Sequence, residues 1–125
     1  MKRRNFAHRP GCAVEATLDL IDGKWKGVIL FHLLSGTQRF GELRRRMPGI
    51  TQRMLTKQLR ALEEDKLIIR KVYAEVPPRV EYTVSDVGES LRPVIEILKQ
   101  WGETHRAQLS CAPAPDPIEA AQTAA

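Results

Sequence analysis

A mainly helical chain carrying one small β-hairpin is the fold class that the sequence predicts. Three observations point to it. Apolar residues recur at helical spacing along several stretches, the period changes to β-rich runs after Lys66 and returns to helical after Ser85, and Gly or Pro marks most of the joints. The order of short helix, tight turn, longer helix and hairpin is that of a winged helix-turn-helix, an α+β arrangement, here flanked by helices at both ends.

Residues 1–11 are polar and basic and read as a flexible arm that stops at Pro10-Gly11. The domain proper is expected over 12–109. A first helix starts near Cys12 or Ala13, with Val14, Leu18 and Ile21 on one face, and Asp22-Gly23 ends it. Residues 24–34 form the second helix. Trp25, Val28, Ile29, Phe31, Leu33 and Leu34 cover most of its circumference, so it is expected to be central and buried, His32 with it. Ser35-Gly36 stops it. A short extended stub leads into a helix over about 40–46 with Phe40, Leu43 and Met47 inward, and Pro48-Gly49 makes the turn. Thr51 is a good N-cap for a helix running to about Asp65, whose inward stripe is Leu55, Leu59 and Leu62. Residues 67–73 and 80–84 are β-rich and enclose a Pro-containing loop, which predicts a hairpin. Ser85 caps a last long helix over 85–109 with a wide apolar stripe through Val87, Leu91, Val94, Ile95, Leu98 and Trp101, and Pro93 either bends it or marks a second start. From Ser110 to Ala125 the chain is rich in Ala and Pro and reads as a disordered tail.

At 125 residues the chain suits one domain. Lys and Arg number 20 against 15 Asp and Glu, a formal charge of +5. The tail holds Asp116 and Glu119 and no Lys or Arg, so the excess lies in the body. A small basic domain is a candidate for an anionic partner, nucleic acid first. No apolar run approaches the ~18 residues of a membrane span, and no signal-type h-region follows Met1-Lys2-Arg3-Arg4, so a cytoplasmic protein without a membrane partner is expected. Neither phosphate-binding loops nor hydrolase or metalloprotease motifs occur, so no enzyme activity and no cofactor are expected. His8, Cys12, His105 and Cys111 match no zinc module, and no metal site is expected.

The helix over 51–65 carries the chemistry. Gln52 can pair with adenine and Arg53 bidentately with guanine, whereas Thr56 suits a phosphate or a thymine methyl. Lys57 and Arg60 lie further along and suit phosphates, and the free N–H groups after Thr51 add an anion site. Alone, such a face is a solvated helix surface. The flanks argue otherwise: Arg44, Arg45 and Arg46 close the short helix, and Arg70, Lys71 and Arg79 lie on the hairpin. In a winged helix these clusters converge into one positive surface. Arg44, Lys57, Arg60 and Lys71 would then hold phosphates, and Arg79 would enter the minor groove or clamp the flanking backbone.

Several stretches resemble a known family. Gly23-Lys24-Trp25-Lys26, Arg39-Phe40-Gly41-Glu42-Leu43, Pro48-Gly49-Ile50, Leu59-Arg60-Ala61-Leu62-Glu63 and Val76-Pro77-Pro78-Arg79-Val80-Glu81-Tyr82 look like the HxlR family of bacterial transcriptional regulators, relatives of the MarR group, over about residues 12–102. The resemblance implies a winged-helix homodimer on a palindromic double-stranded DNA operator, with residues 13–22 and 85–109 building the dimer, 51–65 reading bases and 68–84 as the wing. Some family members sense electrophiles or oxidants through a cysteine near the start of the first helix. Cys12 matches that position, and Cys111 lies past the last helix, within reach of a second subunit's Cys12 if both ends meet at the implied dimer interface. A repressor released by oxidation or electrophile modification of Cys12 is the expected function. The alternatives are a regulator answering to a small-molecule inducer, a winged helix used for protein contacts, and a thiol enzyme.

Overall fold

The computed structural model describes residues 10–109. Ten elements follow in order: α1 (Cys12–Ile21), α2 (Lys26–Leu33), β1 (Gln38–Arg39), α3 (Phe40–Arg46), α4 (Gln52–Glu64), β2 (Ile68–Tyr73), β3 (Arg79–Val84), α5 (Asp86–Glu89), α6 (Arg92–Thr104) and α7 (Arg106–Leu109). Residues 1–9 of the arm expected at 1–11, and the tail at 110–125 with Cys111, lie outside the described residues. Packing divides the chain into two compact units, 1–95 and 96–125, the boundary falling within α6.

Local signals account for the helix ends. Gly11 takes φ 88° ahead of α1, a left-handed conformation that favours glycine. Thr51 caps α4, its hydroxyl oxygen accepting the Met54 N–H at 3.0 Å. α4 ends in a Schellman motif. Leu67 N–H reaches the Leu62 carbonyl at 3.0 Å and Lys66 N–H the Glu63 carbonyl at 2.9 Å, with Lys66 itself at φ 61° where glycine is usual. Gly49 at φ 92° makes the turn between α3 and α4.

The core of the first unit is aliphatic. Ile29, Leu30 and Leu33 of α2 meet Leu43 and Met47 around α3, Leu55, Leu59 and Leu62 of α4, then Leu67, Ile68, Tyr82 and Ile95. Each side chain of this kind contributes roughly 1.5–3 kcal/mol when fully buried. The expected stripe of α4 is therefore its packed face. α2 differs from expectation: Val28 and Phe31 stay exposed and only one face is covered, so the helix is half-buried rather than central. Lys26 is the buried cation of that face, its Nζ donating to Asp22 Oδ1 at 3.1 Å.

β1, β3 and β2 form an antiparallel three-stranded sheet in that order. Gln38 lies opposite Tyr82, and along the hairpin Ile68 faces Val84, Arg70 faces Tyr82, Lys71 faces Glu81 and Tyr73 faces Arg79. The sequence placed the hairpin correctly and read β1 as an extended stub.

The last helix is not one helix. Ser85 caps only the four-residue α5, accepting Gly88 N–H at 3.0 Å and donating to the Lys66 carbonyl at 2.7 Å. The chain restarts at α6 because Pro93 has no N–H to continue the α5 ladder and is tolerated in a first turn. Arg92 ties this second start to α2, its Nη2 donating to the Leu34 carbonyl at 2.8 Å. In the second unit, Trp101 stacks on His105, with ring centroids 4.1 Å apart. Among the described residues, no helix is long and apolar enough to cross a membrane.

Candidate nucleic-acid interface

Because Leu55, Leu59 and Leu62 are buried, α4 turns the opposite side outward. Gln52, Arg53, Thr56, Lys57, Arg60, Ala61 and Glu64 line one open hollow along that side. Thr51, Gln52, Arg53, Lys57 and Arg60 are exposed and Thr56 is half-buried. The Thr56 hydroxyl donates to the Gln52 carbonyl at 2.9 Å, which leaves its oxygen lone pairs and methyl facing out. Among the described residues no carboxylate pairs with Arg53, Lys57 or Arg60, so their charge is open to a partner.

A second cleft joins α4 to the hairpin. Thr56, Leu59, Arg60 and Glu63 form one wall, Arg70 and Tyr82 the other, around about 290 Å³. Thr56 and Arg60 border both hollows, so the basic side of α4 runs on to the sheet without interruption. Arg70, which the sequence placed on the hairpin without assigning it a contact, thus stands beside Arg60. The signal that finds it is the strand period of two, once register puts Arg70 opposite the buried Tyr82.

Other expected contact residues are placed as follows. Arg44 is exposed on the last turn of α3 and lines neither hollow. Lys71 is exposed, its Nζ 5.0 Å from the Tyr73 ring centroid. Arg79 opens β3 on the wing, where the sequence expected it to enter the minor groove or clamp the flanking backbone. Its guanidinium lies 4.0 Å over the Tyr73 ring and pairs with Glu75 at 3.4 Å and Glu81 at 3.7 Å, leaving the side chain 29% exposed. Cys12 is half-buried at the first position of α1.

Comparison with known proteins agrees with this geometry. The model of the HxlR-like helix-turn-helix family matches residues 20–110. The chain belongs to that family. Its relatives include the HTH-type transcriptional regulators YybR and YdeP of Bacillus subtilis (strain 168). YybR is 50% identical over 84% of each chain, and YdeP is 52% identical over 91% of this chain and 84% of its own. Among solved structures, the redox regulator HypR in its reduced form superposes with a TM-score of 0.75 at 51% identity, over 78% of this chain and 97% of that one. The reduced form of the transcriptional regulator YodB from B. subtilis gives 0.67 at 30%, over 79% and 95%. This HxlR-type chain is therefore a transcriptional regulator built on a winged helix-turn-helix DNA-binding fold, in a family of regulators rather than enzymes.

Proposed function

We propose that the chain is a sequence-specific repressor that binds a palindromic operator in the cytoplasm as a homodimer and is released by oxidation or electrophile modification of Cys12. The observation that carries the DNA half of this reading is the basic side of α4, where among the described residues no carboxylate pairs with Arg53, Lys57 or Arg60 and Arg70 borders the same cleft as Arg60. Thr51 and the first N–H groups of α4 would seat a phosphate, and Gln52, Arg53 and Thr56 would read base edges. Arg44, Lys57 and Arg60 would hold phosphates.

The dimer reading rests on exposed apolar side chains. Val94, Ile97, Leu98 and Trp101 of α6 recur at helical spacing and are all exposed, as are Val14 and Leu18 of α1. The release reading rests on the position of Cys12 and on likeness to HypR, whose structures carry the words reduced and oxidized in their names. A modified Cys12 at the start of α1 would shift helices that hold two copies together. Reading helices must meet half-sites about 34–36 Å apart, so a small rotation costs much affinity.

The test is a titration of the protein on its own upstream intergenic DNA against scrambled competitor, at two salt concentrations, with and without a quinone. Specific binding that the quinone abolishes in wild type but not in Cys12→Ser supports the whole reading. Specific binding indifferent to the quinone leaves a regulator that answers to a small-molecule inducer. Binding that stays non-specific and fades near physiological salt favours a module for protein contacts.

A further inference from the structure

We infer that Arg70, not Arg79, is the arginine with which the hairpin meets DNA, and that Arg79 is a positioning residue that latches the wing. The inference rests on the DNA-binding reading and adds to it one contact and one internal role. It starts from the strand period. Arg70 pairs with Tyr82, and Tyr73 pairs with Arg79. Arg70 and Tyr73 are an odd number of residues apart, so they project from opposite faces of the hairpin. Arg70 and the buried Tyr82 share the cleft with Thr56 and Arg60 of α4. Arg79, Tyr73, Lys71 and Glu81 fall on the other face.

What surrounds each guanidinium then differs. Arg70 is exposed, and among the described residues no ion pair or hydrogen bond engages its side chain. Its charge extends the basic side of α4 onto the hairpin. Arg79 stacks on Tyr73 at 4.0 Å and is held from both ends, by Glu75 in the loop and Glu81 on its own strand. Two carboxylates within 4 Å neutralise it locally, and moving it to a phosphate would break both pairs and the stacking. These contacts tie the loop after β2 back onto β3, and so fix where the tip of the wing stands. In that loop the Val76 side chain is fully exposed.

The experiment uses the full chain and a duplex of its own upstream intergenic DNA, with the affinity of each variant measured over a range of salt. Each phosphate contact adds about 0.9 to the slope of log affinity against log salt. Arg70→Ala is expected to lower that slope by about 1 per bound subunit. Arg79→Gln and Tyr73→Leu are expected to keep the wild-type slope while raising amide hydrogen exchange across residues 73–79, which Arg70→Ala leaves protected. A slope lowered by Arg79→Gln, or unchanged in Arg70→Ala, overturns the assignment. Should wild type bind no duplex in a salt-dependent way, the DNA reading itself fails. The latch is then decided by exchange alone: equal protection in wild type, Arg79→Gln and Tyr73→Leu overturns it.

Discussion

Arg53 and Lys57 sit one helical turn apart on the outward side of α4, and their positions give them different tasks. In the proposed reading Arg53, in the first turn, reads a base, whereas Lys57 offers a point charge to a phosphate. Arg53→Ala is expected to cost about 1–3 kcal/mol on the cognate duplex and to relax base preference, and Lys57→Ala to weaken cognate and scrambled duplexes alike. Equal losses on both duplexes for Arg53→Ala would refute its role as a reader. His32 makes a prediction about pH. Burial first, and the nearby Arg46 charge second, hold its pKa below the ordinary 6.5. The folded chain therefore resists a proton that the unfolded chain accepts, so stability falls as pH drops through 6.5 and levels off below the folded value. Denaturant midpoints are expected to fall further in wild type than in His32→Gln between pH of about 7.5 and about 5.5. Residue types alone made the outward side of α4 legible. The stacking of Arg79 on Tyr73 was not legible, because it depends on which residue of β2 lies opposite Arg79.

Capping rules and periodicity located most elements to within a residue or two, since these signals are local. α3 and the Thr51 cap fall where expected, and so do both strands of the hairpin. The segment after β3 shows where local reading stops. Its apolar stripe suggests one helix, but the backbone must pass the end of α4 closely. A Cβ on Gly88 would lie 2.1 Å from the Leu67 carbonyl oxygen. Gly88→Ala is accordingly expected to destabilise the fold by about 1–3 kcal/mol through displacement of α5, measurable as a shift in denaturant midpoint without change in m-value. Lys26 carries a comparable constraint within the α1–α2 corner. Asp22→Asn leaves its buried ammonium without a counter-charge and is expected to cost about 1–3 kcal/mol in the same measurement.

At the scale of the whole molecule, the exposed stripe of α6 leads to a prediction about assembly. Leu98→Glu is expected to convert the proposed dimer to a monomer in light scattering after gel filtration. Operator affinity should fall at least about 10-fold, since two linked half-sites no longer bind together. A monomeric wild type would refute the dimer, and a Leu98→Glu protein that remains dimeric would move its interface off this stripe. The sequence by itself determined the order of elements, the buried stripe of α4, the cap at Thr51 and the basic outward side. Each is written in spacings of three, four or two residues along one segment. Tertiary structure alone decided that α2 is only half covered, and that Arg70 joins α4 while Arg79 stacks on Tyr73. Those outcomes turn on register and on close approach between segments distant in sequence, and no local period encodes the neighbour across the gap.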